Sequence, residues 1–347
     1  MAGREQFRVA VDAMGSDDHP LPEVLGVIQA LRQYPIDKAY LVGDENVLHE
    51  HLCKANVKGL PLEVVHTDEY IEMTEHPVNA IRKKKRASMR VAMNLVKEGQ
   101  ADGFVTAGNT GAGMALSKLV LGTCEGVDRP TLATVVPTIK GTTIILDVGA
   151  NVDCKPVHLE QFAIMGWIYS QLVFGIHNPR VALLSIGEEE IKGNDLTKEV
   201  HQALKRAHLN FVGNVEGRDV YTGNVDVVVC DGFVGNVALK ISEGLITTIM
   251  HLLKKELSRN LKTQMGAMLT RSAFRNLKKK LDYSEYGGAP LLGCRYPMII
   301  GHGRSNANAI KNAVRFVREL HLNHIPRRIE EEVAKFMAQR LRQPEEV

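Results

Sequence analysis

Short β-branched runs alternate along the chain with longer segments in which apolar residues recur every three or four positions. That is the pattern of crossover units wrapped on a mostly parallel sheet. Strands are predicted at 8–13, 38–42, 62–66, 103–106, 132–136, 143–147, 180–185 and 225–230, and helices at 22–33, 80–98, 112–121, 159–174, 195–207 and 306–319. There is no internal repeat and no Pro- or Ser-rich linker, so residues 1–347 read as a single α/β domain.

One stretch breaks the rhythm. From 241 to 281 there is no strand pattern, and Ile241, Leu245, Ile249, Leu252, Leu253 and Leu257 fall at helical spacing. A helix or helical hairpin inserted into the domain is predicted there. Beyond it, YSEYGGAP reads as a loop, 298–300 as a further strand and 327–342 as a charged amphipathic helix.

Composition narrows the classes. At 44% hydrophobic and 24% charged residues the chain can build a sizeable core, which argues against wholesale disorder. Aromatics are 5%, with Trp167 the single tryptophan, a poor inventory for a base-stacking platform, and no nucleic-acid partner is expected. Cys53, Cys124, Cys154, Cys230 and Cys294 are odd in number and widely spaced, which suits reduced thiols in the cytoplasm better than a disulfide framework or a zinc knuckle. The first residues lack the apolar core of a signal peptide, and charges interrupt the apolar runs before the roughly 20 residues of a membrane span. The net charge of +3 hides an asymmetry: 240–280 holds ten Lys and Arg against two Glu. Such a surplus points to an anionic surface or partner.

Ligands of doubly wound sheets bind outside the carboxyl ends of strands. Five predicted strands end in DAMGSDDHP, TAGNTGAG, DVGANVD, SIGEEEIKGND and CDGFVGNVALK, and GHGRSN follows 298–300. The five strand ends are expected to converge on one edge as a cradle for a phosphate, lined by backbone N–H groups and Asn side chains. Any one Gly-Asn or Asp-Gly pair is an ordinary turn, and it is the recurrence that suggests a ligand. Lys192 reads as a site cation or a solvated lysine, and His302 as a proton donor, a phosphate contact or a structural histidine. Asp12, Asp147 and Asp231 read as strand-end caps or as a network orienting donors. RKKKR at 82–86 is a helix's wet face or a dock for an acidic protein or nucleic acid. P-loop, dinucleotide, nucleophile-elbow and H-E-x-x-H motifs are absent from the sequence, and neither a cofactor nor a metal is expected.

Taken in order over nearly the whole chain, AVDAMGSDDHP, TAGNTGAGMA, LDVGANVDCKP, LLSIGEEEIKGND, CDGFVGNVALK and GHGRSNANAIKNAV resemble the bacterial phosphate acyltransferases of phospholipid synthesis. The resemblance implies a three-layer α/β/α sandwich with a mostly parallel doubly wound sheet, similar to phosphate acetyltransferases and isocitrate dehydrogenase, and a homodimer. It implies acyl transfer from acyl-acyl-carrier-protein to inorganic phosphate. Positioning and electrostatics would then do most of the work, because phosphate is itself a nucleophile.

On that reading Lys192, His302, Asp231 and Asn236 form the catalytic set. Asp12, Gly15, Asn109, Thr110, Gly111, Asp147, Asn151, Asn194, Gly232, Ser305 and Asn306 bind phosphate or substrate. The basic insertion would touch anionic lipid at the inner face of the membrane or serve as a dimer interface. Two positions depart from the family pattern: Ser16 stands where M-G-G-D is usual, and 84–88 reads KKRAS where KKDSS is usual. The rival readings are an acyl-CoA-dependent phosphate acetyl- or butyryltransferase and a non-enzymatic protein that binds anionic surfaces.

Overall fold

The β-branched runs pair into one eleven-stranded sheet in the computed structural model, which describes residues 5–281 and 283–342. Across it lie β3 (Leu62–His66), β2 (Lys38–Gly43), β1 (Arg8–Asp12), β4 (Gly103–Thr106), β11 (Met298–Ile300), β10 (Ala289–Leu292), β5 (Thr131–Pro137), β6 (Thr142–Leu146), β9 (Val227–Val229), β7 (Val181–Leu184) and β8 (Phe211–Val215). Alternate side chains face opposite ways, so Val9 and Val11 enter one apolar layer while Ala10 and Phe104 enter the other. The first layer is covered by α1 (Leu21–Gln33), α2 (Glu45–Lys54), α6 (Pro156–Phe174), α7 (Asp195–Lys205), α11 (Ala307–Leu322) and α12 (Ile325–Arg342). The second is covered by α3 (Pro77–Lys83), α4 (Ser88–Lys97) and α5 (Thr110–Leu116), the last continued by a π-helical turn to Leu121, with Leu239 of α8 (Gly232–Leu257) packed against it further along. The α/β/α sandwich is as expected.

Strand polarity is not uniform. β1, β2, β3, β4 and β11 run parallel, and β5 shares their direction because β10 is antiparallel to both β11 and β5. The β5–β6 hairpin then reverses the chain, pairing Val135 with Ile144, and β9, β7 and β8 follow β6. The loops after β1, β4 and β11 therefore open on one edge and those after β6, β7 and β9 on the other. The expectation of five loops on a single edge is corrected by this reversal.

Smaller differences have local causes. The helix expected at 80–98 is two helices, because 84–88 is pinned to the segment after β3: Ser88 N–H donates to the Glu69 carbonyl at 2.8 Å and Arg86 N–H to Glu69 Oε2 at 2.9 Å. The YSEYGGAP loop yields its last residues to β10, whose Pro290 hides a strand in sequence. β8 carries Gly213 at φ +99° beside a register shift, so its pattern is broken too. α2 lies outside the predicted helices, although Asp44 caps it by accepting from the Asn46 and Val47 N–H groups. The insertion comprises α8, α9 (Leu261–Leu269) and α10 (Arg271–Leu281), and its first helix begins at Gly232, directly after the β9 loop.

Candidate active site

Asp12, the last residue of β1, organises the first edge. Its carboxylate is buried and accepts from Ser88 Oγ at 2.7 Å, Thr106 Oγ1 at 2.8 Å and the Met14 N–H at 3.3 Å. Thr106 Oγ1 in turn accepts the Gly108 N–H at 3.0 Å, so one carboxylate ties the ends of β1 and β4 to the start of α4. Burial raises its pKa, opposed by the Ser88 and Thr106 hydrogen bonds. With both oxygens engaged by these donors, Asp12 positions the loops. Gly15 completes the crossing: a Cβ there would stand 2.7 Å from the Gly108 nitrogen, so only glycine lets the two loops meet.

The turn after β11 joins them. Gly301 N–H donates to the Thr106 carbonyl at 2.6 Å, and Asp17 N–H to the Gly303 carbonyl at 2.8 Å. Ser305 is buried beneath this turn, and Asn306 caps α11 by accepting the Ala309 N–H at 2.9 Å. Under the Ser16 backbone lies Glu23 of α1, fully buried, its Oε1 accepting the Ser16 N–H at 3.1 Å. Desolvation pushes its carboxyl up to about 7.

α8 brings cationic charge to this edge. After leaving β9 it crosses the sheet face, and Ser242 meets the Tyr221 hydroxyl while the Tyr221 carbonyl accepts the Ile139 N–H at the tip of the β5–β6 hairpin. That hairpin follows the carboxyl end of β5, on the edge where β1, β4 and β11 end. His302 has its pKa lowered by burial and next by Lys240 of α8, with Glu243, Arg304 and Asp17 also acting on it. His302, Arg304 and Lys240 thus share the mouth of the three glycine loops. Thr110 and Gly111 open α5 at the same place, Thr110 exposed and Gly111 partly so.

The second edge gathers a separate, acidic cluster. Asp147 accepts from the N–H groups of Gly149, Ala150 and Asn151, and from Asn151 Nδ2 at 2.7 Å. Burial nevertheless lifts its carboxyl to about 6. Asn151 also donates to the Pro130 carbonyl at 2.9 Å, Gly232 N–H donates to the Asn151 carbonyl, and Asp231 caps α8 through the Val234 N–H. Exposed Asn236 packs beside Gly149. Lys192 lies in the loop after β7 on this edge, exposed, its carbonyl accepting from Ser185 Oγ, and Asn194 caps α7.

The structure therefore brings Asp12, Gly15, Asn109, Thr110, Gly111, His302, Ser305 and Asn306 together, and sets Asp147, Asn151, Lys192, Asn194, Asp231, Gly232 and Asn236 in the second group. Sequence reasoning missed Ser88, Thr106 and Glu23, which support the first group from below. Among the described residues no set of three or more His, Cys, Asp or Glu is placed to hold a metal ion.

Comparison with known proteins decides the family. The model of the family described as "Fatty acid synthesis protein" matches residues 7–328. A phosphate acyltransferase of Koribacter versatilis is 56% identical over 95% of this chain and 92% of its own, and one of Geotalea uraniireducens 52% identical over 94% of each. The chain belongs to the phosphate acyltransferase family. It is an enzyme of that family, as the ordered motifs suggested. The fold extends to more distant phosphotransacylases: a phosphotransacetylase of Streptococcus pyogenes superposes with a TM-score of 0.58 at 16% identity over 94% of both chains, and the EutD phosphotransacetylase of Staphylococcus aureus with 0.56 at 16% identity, over 93% of this chain and 94% of its own.

Proposed function

We propose that this phosphate acyltransferase moves a long-chain acyl group from acyl-acyl-carrier-protein to inorganic phosphate, releasing acyl phosphate for phospholipid synthesis. The observation that carries the site is the junction of the loops after β1, β4 and β11 beneath His302, Arg304 and Lys240. There His302 lies within the influence of Lys240 and Arg304, with Glu243 and Asp17 also acting on it, and the exposed turn at Thr110 opens α5, whereas on the second edge Asp147 is buried under its own donors and Asp231 caps α8. Phosphate seats at Gly15, Thr110, Gly111 and the 301–305 turn, and one of its oxygens attacks the thioester carbonyl carbon. The C–O bond forms, the C–S bond breaks, and the thiolate leaves with a proton from solvent or from His302. Asn236 and the Asp147–Asp231 cluster shape the start of α8, and Lys192 stands clear of the phosphate.

The expected result is phosphate-dependent acyl phosphate formation from long-chain acyl-acyl-carrier-protein, at a kcat/KM at least tenfold above that with the matching acyl-CoA. Equal or greater use of acyl-CoA would favour the acetyl- and butyryltransferase-like alternative. Loss of no thioester at all would leave only surface binding.

The insertion supplies the assembly. Val237, Ile241, Leu245, Ile249 and Leu252 on α8 are 43 to 65% exposed and form an apolar stripe along its 26 residues. α8 is long and apolar enough to span a membrane, but its first turn is built into the domain and Lys240 pairs with Glu243 at 2.9 Å within it. The stripe is therefore read as the homodimer face. Leu261, Met265, Met268 and Leu269 on α9 are 62 to 83% exposed, next to the basic α10, and suit the anionic inner face of the membrane. Ile241→Glu with Leu245→Glu is expected to halve the sedimenting mass, and Met265→Glu with Met268→Glu to abolish flotation with anionic vesicles. Wild-type behaviour of both double variants would refute these assignments.

A further inference from the structure

Asn109 stands at the mouth of the first loop cluster, yet its amide is turned away from any ligand. Oδ1 accepts the Ala112 N–H at 3.0 Å and so caps α5, which fixes Nδ2 on the opposite side. There Nδ2 donates to three backbone carbonyls in one bend of chain: Glu75 at 3.0 Å, Met73 at 3.1 Å and, more weakly, Glu72 at 3.4 Å. Three carbonyls converging on one NH2 group mark a segment held in place from one point.

The same bend is tied at its two ends by Lys84, from the basic run. Lys84 Nζ donates to the Tyr70 carbonyl at 2.7 Å and pairs with the Glu75 carboxylate. This lysine is spent on fixing the bend and adds no free charge to the basic surface. Across the cluster, Tyr70 lies against His19 with ring centroids 5.0 Å apart, and a side chain placed at Gly303 would come within 2.9 Å of the Met73 methyl and 2.8 Å of Asp17 Oδ1. Met73 is 40% exposed, an apolar side chain displayed beside a polar, glycine-rich seat.

We propose that residues 70–76 form a strap walling the path of the acyl thioester beside the phosphate seat, with Asn109 and Lys84 as its positioning residues and Met73 as the side chain that meets the alkyl portion of the substrate. This rests on the phosphate acyltransfer reading above. It assigns Asn109 to the thioester side of the reaction instead of to phosphate.

Asn109→Asp keeps the α5 cap but turns an oxygen toward the three carbonyls, Lys84→Gln removes the tie at the far end, and Met73→Ser touches no hydrogen bond of the strap. The full-length variants are measured by steady-state kinetics with long-chain acyl-acyl-carrier-protein and phosphate, and by amide hydrogen exchange. N109D and K84Q are expected to exchange at least tenfold faster over 70–76 and to raise the thioester KM at least fivefold, with the phosphate KM within twofold of wild type. M73S is expected to raise the thioester KM with exchange unchanged. A rise in the phosphate KM of N109D with normal exchange would make Asn109 a phosphate ligand and overturn the proposal. Fast exchange with an unchanged thioester KM would overturn the wall. If the wild type forms no acyl phosphate, the functional reading fails by itself, and the exchange data still uphold or refute the role of Asn109 and Lys84 in holding the strap.

Discussion

Asp12→Ala is expected to lower kcat/KM for acyl phosphate formation by at least 100-fold and to reduce stability by about 2–4 kcal/mol, the range for stripping a buried carboxylate from its hydrogen-bond partners. The substitution leaves the Ser88 and Thr106 hydroxyls and the Met14 N–H buried without their acceptor, all at the crossing of the β1 and β4 loops. Thr106 Oγ1 also receives the Gly108 N–H, so the damage passes into the loop that opens α5. Asp12→Asn keeps the shape and one acceptor oxygen. With its NH2 group on the Thr106 side, whose hydroxyl can rotate to accept from it, and its oxygen still accepting from Ser88 and Met14, an intermediate loss is expected. Were Asp12 instead a direct contact of the phosphate, removing its negative charge would lower the phosphate KM. Urea denaturation and initial-rate kinetics on both variants separate these cases. Unaltered stability together with unaltered rate in D12A would remove the network from the account.

The fold was legible where its signals are local. β3, β4 and β11 stand where the β-branched runs placed them, and the period of the helices at 22–33, 159–174 and 195–207 survives with ends moved by a few residues. What escaped depends on contacts distant in sequence. The split between α3 and α4 is enforced by Glu69, seventeen residues before Arg86, and no propensity within 80–98 announces it. β10 and β8 carry Pro290 and Gly213, residues that ordinarily break strands and are tolerated here by a short hairpin partner and by a register shift.

The site was legible in composition but not in arrangement. Glycine, Asn and Asp at strand ends marked loops that the structure gathers into two groups, and Asn194, Asp231 and Asn306 each cap a helix, the plainer of the roles open to them. The deeper error concerned which loops share an edge. Only six residues separate the strands expected at 132–136 and 143–147, far too few for a crossover between parallel strands, which needs a dozen or more. That spacing already required a hairpin and hence a reversal of polarity. Lys192 and His302, paired in the sequence reading, were thereby sent to opposite edges. Thr106 and Glu23 carried no signal because an isolated hydroxyl and a single helical Glu are ordinary in any sequence, and Ser88 stood out only as the last residue of the KKRAS run. Their role arises only when β1, β4, α1 and the start of α4 are brought together.

The proposed phosphate seat is open to a direct footprint. Three loops converge where His302, Arg304 and Lys240 lie, and an anion held by backbone N–H groups slows the exchange of those amides. Amide hydrogen exchange of the wild-type enzyme, with and without saturating inorganic phosphate and with sulfate at matched ionic strength, reads every loop at once. The account predicts at least fivefold slower exchange with phosphate over 13–18, 108–112 and 301–305, and no change over 147–151 or 231–236. Protection confined to 147–151 and 231–236, with the first three loops unaffected, would place phosphate on the other edge of the sheet and contradict it.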